Sequence, residues 1–367
     1  MGQAAPRAVT TKSSGDGAAA TKGLSWGHSS MQGWRIRMED AHFAVESLNQ
    51  EDWADTAAFG VLDGHGGREV AYFCEAKLPT KISSSDRANP RKALIVAFEH
   101  MDELLCSAEM QELLHSFTGD TRNDSNALPF VGADRVGCAA VVCLVQPEYL
   151  IVANAGDSRA VLARSGVAVP LSEDHKPNLP AERERIHKAG GFVERRQVGS
   201  IVQYRINGNL NLSRSIGDLV YKKSASLEAS SQMISSTPDV MTVRRQESDE
   251  FLIVACDGVW EVMSSQEAVD FVNARLHKHT QHGLPLSFIM EELLDHCLSP
   301  NLEETEGLGG DNMTAMVVLL QSGAEEVASF GQLAATAPRW QQTETTIDDR
   351  MLLPSGLLCS CSVSSKQ

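Results

Sequence analysis

Residues 137–163 read GCAAVVCLVQPEYLIVANAGDSRAVLA. Three short runs stand out, Ala139–Val145, Leu150–Ala153 and Ala160–Ala163, each apolar, rich in Val and Leu, and bounded by Gly, Pro, Asn or Asp. Such runs predict buried strands. They come one directly after another instead of alternating with helices, which points to antiparallel sheets with helices packed outside them and away from a doubly wound parallel sheet.

Working outward, Ala57–Leu62, Phe251–Ala255 and Thr314–Leu320 have the same character. Asn207-Gly208 favours a two-residue type I′ turn, so Ile201–Leu212 is expected to be a hairpin. Helices have their own signals. Asn89 caps and Pro90 opens a helix through Leu94, Phe98, Met101 and Leu105. Ala181–Ala189 is a charged helix stopped by Gly190-Gly191. Ser264-Ser265-Gln266-Glu267 is a capping box before an apolar-periodic run, and Leu286–Leu298 is one more helix. Thr118–Arg135 reads as a long loop. Residues 1–22, small and aperiodic, are expected to be a flexible arm; residues 23–322 form one catalytic-sized domain, and residues 323–367 a tail.

The 367 residues carry 32 basic and 48 acidic side chains, a formal charge of −16. That field repels nucleic acid and anionic lipid, which excludes a nucleic-acid partner. Hydrophobic content of 42% is ordinary for a folded domain. No apolar run approaches the roughly 18 residues of a membrane span, and no secretory h-region is present. The eight cysteines show no CxxC pair or zinc-like spacing, and Cys138, Cys143 and Cys256 sit in apolar runs as small hydrophobes. An intracellular location, cytoplasmic or nuclear, is expected. Met1-Gly2 opens a myristoylation signal that lacks its sixth-position Ser or Thr, where Pro6 stands; lipidation there, or acylation at Cys359 and Cys361, would add peripheral membrane association.

The strand ends carry the chemistry. Ala57–Leu62 runs into Asp63-Gly64-His65-Gly66-Gly67, Leu150–Ala153 into Asn154-Ala155-Gly156-Asp157, and Phe251–Cys256 into Asp257-Gly258; Gly309-Gly310-Asp311-Asn312 precedes Thr314–Leu320. One Asp-Gly is an ordinary turn. Four acids at strand borders, each beside glycine, are a different matter: the sheet holds the carboxylate still, and glycine lets the backbone approach an ion and offer its carbonyl. All the candidate ligands are oxygens, which suits Mg²⁺ or Mn²⁺. Upstream, Arg35, Arg37 and Glu39 share one face of an extended segment, and a guanidinium beside carboxylates suits a phosphate next to metals.

In order along the chain, Arg35-x-x-x-Glu39-Asp40, Asp63-Gly64-His65-Gly66-Gly67, Gly156-Asp157-Ser158-Arg159, His175-Lys176-Pro177 with Glu182-Arg183-Glu184-Arg185-Ile186, Ser213-Arg214-x-x-Gly217-Asp218, Asp257-Gly258-Val259-Trp260 and Asp311-Asn312-Met313-Thr314 resemble the motif set of metal-dependent Ser/Thr protein phosphatases of the 2C (PPM) type. The resemblance implies an α+β fold, a four-layer αββα sandwich of two antiparallel β-sheets flanked by helices. It implies two Mn²⁺ or Mg²⁺ ions, with Asp63 bridging them, Gly64 giving its carbonyl, and Glu39, Asp257 and Asp311 completing the set. Asp157 matches a third, weaker site, and Asp40 and Asn312 would orient waters around the ions. Arg35 would bind the substrate phosphate, His65 would protonate the leaving alkoxide, and Arg214 would lie near the cleft as a further phosphate contact. Phosphoproteins would be the substrates, hydrolysed by a water or hydroxide bridging the ions, with no phosphoenzyme. The pattern departs at Gly137-Cys138-Ala139-Ala140, where Ala139 replaces a hydroxyl-bearing residue near the metal site, a change that bears on the water network and on occupancy of the third site. Two other readings share features of the pattern: a silent regulatory domain, which would have lost Asp63, Asp257 or Asp311, and a nuclease or nucleotidase, whose polynucleotide form the negative charge opposes.

Overall fold

In the computed structural model, which describes residues 4–49, 51–118 and 132–320, the apolar runs form two sheets. The first has the order β1 (Ala4–Ala19), β2 (Leu24–Arg35), β14 (Met313–Leu319), β13 (Asp249–Ala255), β7 (Arg159–Arg164) and β8 (Val167–Pro170). The second has the order β12 (Asp239–Arg244), β6 (Tyr149–Ala155), β5 (Gly137–Val145), β4 (Ala57–His65) and β3 (Ala41–Val45), with the two-residue β11 (Ile216–Gly217) on β5. Every pairing in both sheets is antiparallel. The stretch 137–163 holds β5, β6 and the start of β7, and its chain crosses from one sheet to the other at Gly156–Ser158.

The strands read as continuous apolar runs because both of their faces are covered. Phe59, Val61, Val141 and Val152 of the second sheet meet Trp26, Leu162, Leu252, Val254, Met316 and Val318 of the first; the Trp26 and Phe59 rings pack edge-on, 5.3 Å between centroids. The alternate residues Leu62, Val142, Leu144 and Ile151 face outward onto Phe73 and Leu78 of α1 (Glu69–Ser83) and onto Leu94, Phe98 and Met101 of α2 (Pro90–Cys106), with α3 (Ala108–Ser116) beside them. On the far side, Phe251, Ile253, Ala315 and Val317 bury against α6 (Ser265–His282) and α7 (Leu286–Cys297). The result is the expected four-layer αββα sandwich. Two short helices, α4 (Pro180–Lys188) and α5 (Asp257–Trp260), complete the helices among the described residues.

The caps act as their chemistry requires. Asn89 accepts from the Lys92 amide at 3.0 Å. The capping box is reciprocal, with the Ser264 amide donating to Glu267 at 2.8 Å and the Glu267 amide to Ser264 Oγ at 3.3 Å.

Two expectations need correction. The N-terminal segment is not a flexible arm over its described part: Ala4–Ala19 is β1, the edge strand of the first sheet, in continuous register with β2 from Lys12↔Met31 to Ala19↔Leu24. Backbone hydrogen bonds and close approach hold it, so no hydrophobic period announces it. A Cβ on Gly17 would lie 2.2 Å from the Trp26 ring, and Asp16 accepts from both the amide (2.8 Å) and hydroxyl (2.5 Å) of Ser287 at the start of α7. The second correction concerns the hairpin. Asn207 and Gly208 do both adopt positive φ, 50° and 76°, but only the Ile206↔Leu210 bridge spans them. The extended hairpin lies upstream, β9 (Val193–Val198) with β10 (Ile201–Ile206). Its turn is Gly199-Ser200, with Gly199 at φ 61° as a II′ turn requires. Residues 119–131 of the anticipated long loop, the tail with Cys359 and Cys361, and Gly2 lie outside the described residues.

Candidate metal centre

One end of the sandwich gathers the acids because central strands of both sheets end there. Asp63 and Gly64 are near the end of β4, Asp157 comes after β6, Asp257 comes after β13 as the first residue of α5, Asp311 and Asn312 precede β14, and Glu39 lies between β2 and β3. Arg35, Glu39, Asp63, Gly64, His65, Asp157, Asn211, Leu212, Asp257, Asp311 and Asn312 line one cleft. Within it, Asp63, Asp157 and Asp257 each offer a carboxylate oxygen within 4.8 Å of the others.

Close backbone approach explains the glycines. A Cβ on Gly64 would fall 2.2 Å from the Glu39 carbonyl, and one on Gly258 2.1 Å from the Asn312 carbonyl. Any side chain at either position would push ligand-bearing segments apart. Ala139 is the cross-strand partner of Asp63. Its Cβ lies under Gly156, 2.4 Å from where a Cβ on that glycine would be, and Gly156 has φ 130°. The small residue at 139 thus sits between the Asp63 strand and the Asp157 turn.

Electrostatically the cluster is under stress. Burial first, and then Asp257, Asp40, Asp311 and Asp157, push the Asp63 carboxyl well above the usual range. Burial and then Asp157, Asp311 and Glu261 do the same to Asp257. Asp40, buried and accepting the Thr314 hydroxyl at 2.8 Å, is pushed up to about 7, chiefly by burial. Carboxylates brought together in this way are stable as anions only with cations among them. Two side chains supply positive charge in the protein itself: Arg35 pairs with Asp311, and Lys176 Nζ donates to Asp157 Oδ2 at 2.5 Å. The all-oxygen donor set, the converging carboxylates and the glycine-lined approach fit hard divalent cations.

The remaining predicted residues fall into place unevenly. Asn312 bonds backbone with both ends of its amide: Oδ1 accepts from the Glu39 amide at 2.9 Å, and Nδ2 donates to the carbonyls of Gln32 (2.7 Å) and Arg37 (2.9 Å). It shapes the Arg35–Glu39 segment. Arg214 is not brought to the cleft. Its guanidinium is bound to Glu182 (2.8 and 3.1 Å) and Asp239 (2.7 Å), so the expected phosphate contact is corrected to a structural anchor between α4 and β12. His65 lines the cleft and meets Asp218 Oδ2 at 2.6 Å through Nε2. Burial opposes a charge on His65, but the charge and hydrogen bond of Asp218, with Asp157 and Glu39 adding to them, together hold the imidazole above its usual value. Asp218 in turn sits at φ 51° and accepts the Ser215 hydroxyl at 2.6 Å.

Sequence reasoning assigned no role to Asp218, Lys176 or Glu261. The first two lie inside the family-like motifs. Glu261 is four residues after Asp257, one helical turn on, so the two share a face, and its carboxyl is raised by burial, with Asp311 and Asp157 adding to the rise and Lys176 opposing it.

A family model described as Protein phosphatase 2C matches residues 24–305. "Probable protein phosphatase 2C 21" of Arabidopsis thaliana is 40% identical over 325 residues, covering 80% of this chain and 86% of its own. Protein phosphatase 2C homolog 2 of Schizosaccharomyces pombe is 40% identical over 330 residues, covering 88% and 80%. Among solved structures, a phosphatase from Toxoplasma gondii superposes with a TM-score of 0.64 at 21% identity, over 85% of this chain and 96% of that one; this last likeness bears on the fold. Among the described residues no helix is long and apolar enough to cross a membrane.

Proposed function

The chain belongs to the protein phosphatase 2C family of metal-dependent protein phosphatases, and from that premise we propose that it hydrolyses phosphoserine and phosphothreonine in proteins with Mg²⁺ or Mn²⁺ at the Asp63 cluster. The observation that carries this reading is the convergence of Asp63, Asp157 and Asp257 within 4.8 Å in a cleft that also holds Arg35 and His65. Asp63, the Gly64 carbonyl, Glu39, Asp257 and Asp311 would hold two ions, and Asp157 a third. Bound there, the ions supply charge neutralisation and a water activated for attack on phosphorus.

The protein's own groups do the rest. Arg35 reaches the cleft from the end of β2, where its guanidinium exchanges Asp311 for two phosphate oxygens and offsets charge that grows on them in the transition state. His65 donates a proton to the serine or threonine oxygen as it leaves, a poor leaving group otherwise. Asp40 supports the cluster from beneath through Thr314, and Asn312 keeps Glu39 facing it.

The deciding measurement is turnover of phosphoserine, phosphothreonine and nucleotide substrates with and without Mn²⁺. Phosphopeptide turnover that needs Mn²⁺ and disappears in excess chelator supports the reading. Turnover that survives chelation, or that is confined to nucleotides, rejects it.

A further inference from the structure

Asp157 does not face the cleft as a bare carboxylate. Its Oδ2 accepts from Lys176 Nζ at 2.5 Å, and its side chain is 2% exposed while that of Lys176 is 33% exposed. The ammonium is therefore seated at the wall of the cluster, on a side chain that partly reaches solvent.

The seat is built. Lys176 lies in the loop between β8 and α4, and the residue before it fastens that loop to the Asp157 turn. The His175 amide donates to the Gly156 carbonyl at 2.9 Å, and the Gly156 amide donates to His175 Nδ1 at 3.2 Å. His175, 3% exposed, is closed off by Asp239 against Nε2 at 3.2 Å, and its carbonyl accepts the Ser213 amide at 3.0 Å. The backbone at 175 and 156 is locked together, so a lysine at 176 meets Asp157 by construction. Asp257 and Glu261 lie in the same field.

A divalent ion that uses Asp157 must share its carboxylate with this ammonium or displace it. Like charges a few ångströms apart in a partly desolvated cleft repel strongly. Of the predicted ligands it is Asp157 that Lys176 hydrogen-bonds, so an ion that uses Asp157 meets the ammonium most directly. We propose that Lys176 is a built-in counter-ion that weakens divalent-cation binding at Asp157 relative to the rest of the cluster, so that this site fills only at higher metal concentration. The lysine stem, part-exposed, lets the head swing to solvent when the ion enters. This inference rests on the cluster being a metal centre.

Mn²⁺ titrations of the full chain, read by the EPR signal of free Mn²⁺, test it independently of turnover. The wild type is expected to show tighter ions and one weaker step. Lys176→Met should tighten that weakest step by roughly tenfold or more, leaving the tighter ones nearly in place. Lys176→Arg, which keeps the charge, should titrate like the wild type. Adding Asp157→Asn to Lys176→Met should remove the weak step. A weakest step equal in wild type and Lys176→Met overturns the proposal, as does an equal tightening in Lys176→Arg, since packing and not charge would then be the cause. Absence of bound Mn²⁺ in every variant overturns the metal centre itself, and the counter-ion with it.

Discussion

His65 Nε2 lies 2.6 Å from Asp218 Oδ2, and the same carboxylate oxygen accepts the Ser215 hydroxyl at 2.6 Å. The two residues are 153 positions apart, and β11 brings them together by pairing with β5, Gly217 opposite Gly137. Gly137 leaves the space: a Cβ there would fall 2.3 Å from Asp218 Oδ2 and 2.5 Å from His65 Nε2. Asp218 thus orients the imidazole and favours its charged, proton-donating form.

Asp218→Asn keeps the shape and tolerates the positive φ but removes the charge. Turnover of a phosphoserine peptide is expected to fall at least about tenfold, part of the roughly 10²–10⁴ that general acid catalysis contributes. An aryl phosphate, whose leaving group needs no proton, should lose far less. Equal losses on both substrates would show that Asp218 acts on something other than the leaving-group proton.

Asp63→Asn separates the cost of the cluster from its use. Removing one of several desolvated carboxylates relieves repulsion, so without metal the variant should melt a few degrees above the wild type. With saturating Mn²⁺ the order reverses, because the wild type gains about 2.7 kcal/mol at a hundredfold excess over Kd and the variant does not. Thermal melts in chelator and in Mn²⁺ read both signs; a wild type that melts higher in chelator contradicts the argument.

Asn312→Ala deletes three hydrogen bonds to the 32–39 segment. With backbone groups left unpaired, a loss on the order of 2–3 kcal/mol is expected in denaturant unfolding. Mn²⁺ affinity should fall as well, because the segment carries Glu39. Unchanged affinity would mean that Glu39 is held in place by other contacts.

His28 on β2 and His42 on β3 meet from the two sheets as a tilted pair, with ring centroids 4.1 Å apart and planes at 46°. Burial lowers both, to about 3 for His28, where His42 adds repulsion, and to about 4 for His42. Unfolded imidazoles take up protons near pH 6.5, whereas these stay neutral in the folded state. Stability is therefore expected to decline as pH falls from about 6.5 toward 4, by up to about 1.4 kcal/mol per group per pH unit. The double variant His28→Phe, His42→Phe should flatten that limb of the urea-midpoint profile. A profile as steep as the wild type's would place the acid sensitivity elsewhere.

Much was legible because local rules and the global fold agree. Neighbouring apolar runs at 137–163 meant antiparallel strands, Ser264 and Glu267 closed the helix start on each other, and acids beside glycine at 63, 157, 257 and 311 marked one end of the sandwich. The residues that escaped are those whose meaning depends on a distant partner. Ala4–Ala19 has no period because its strand is held by backbone bonds and by glycines under Trp26 and His28. Gly199-Ser200 did carry a II′ turn signal, and Asn207-Gly208 outshone it.

The chain alone determined antiparallel sheets with helices outside them and which strand ends bear oxygen ligands, since periodicity, capping and turn chemistry are short-range. Only the tertiary structure decided which charges meet. It gave Arg214 to Glu182 and Asp239, spent Asn312 on the backbone, and set Asp218 against His65 and Lys176 against Asp157. Electrostatic energy depends on distances through space, and residues far apart in the chain acquire those distances only when both sheets are stacked.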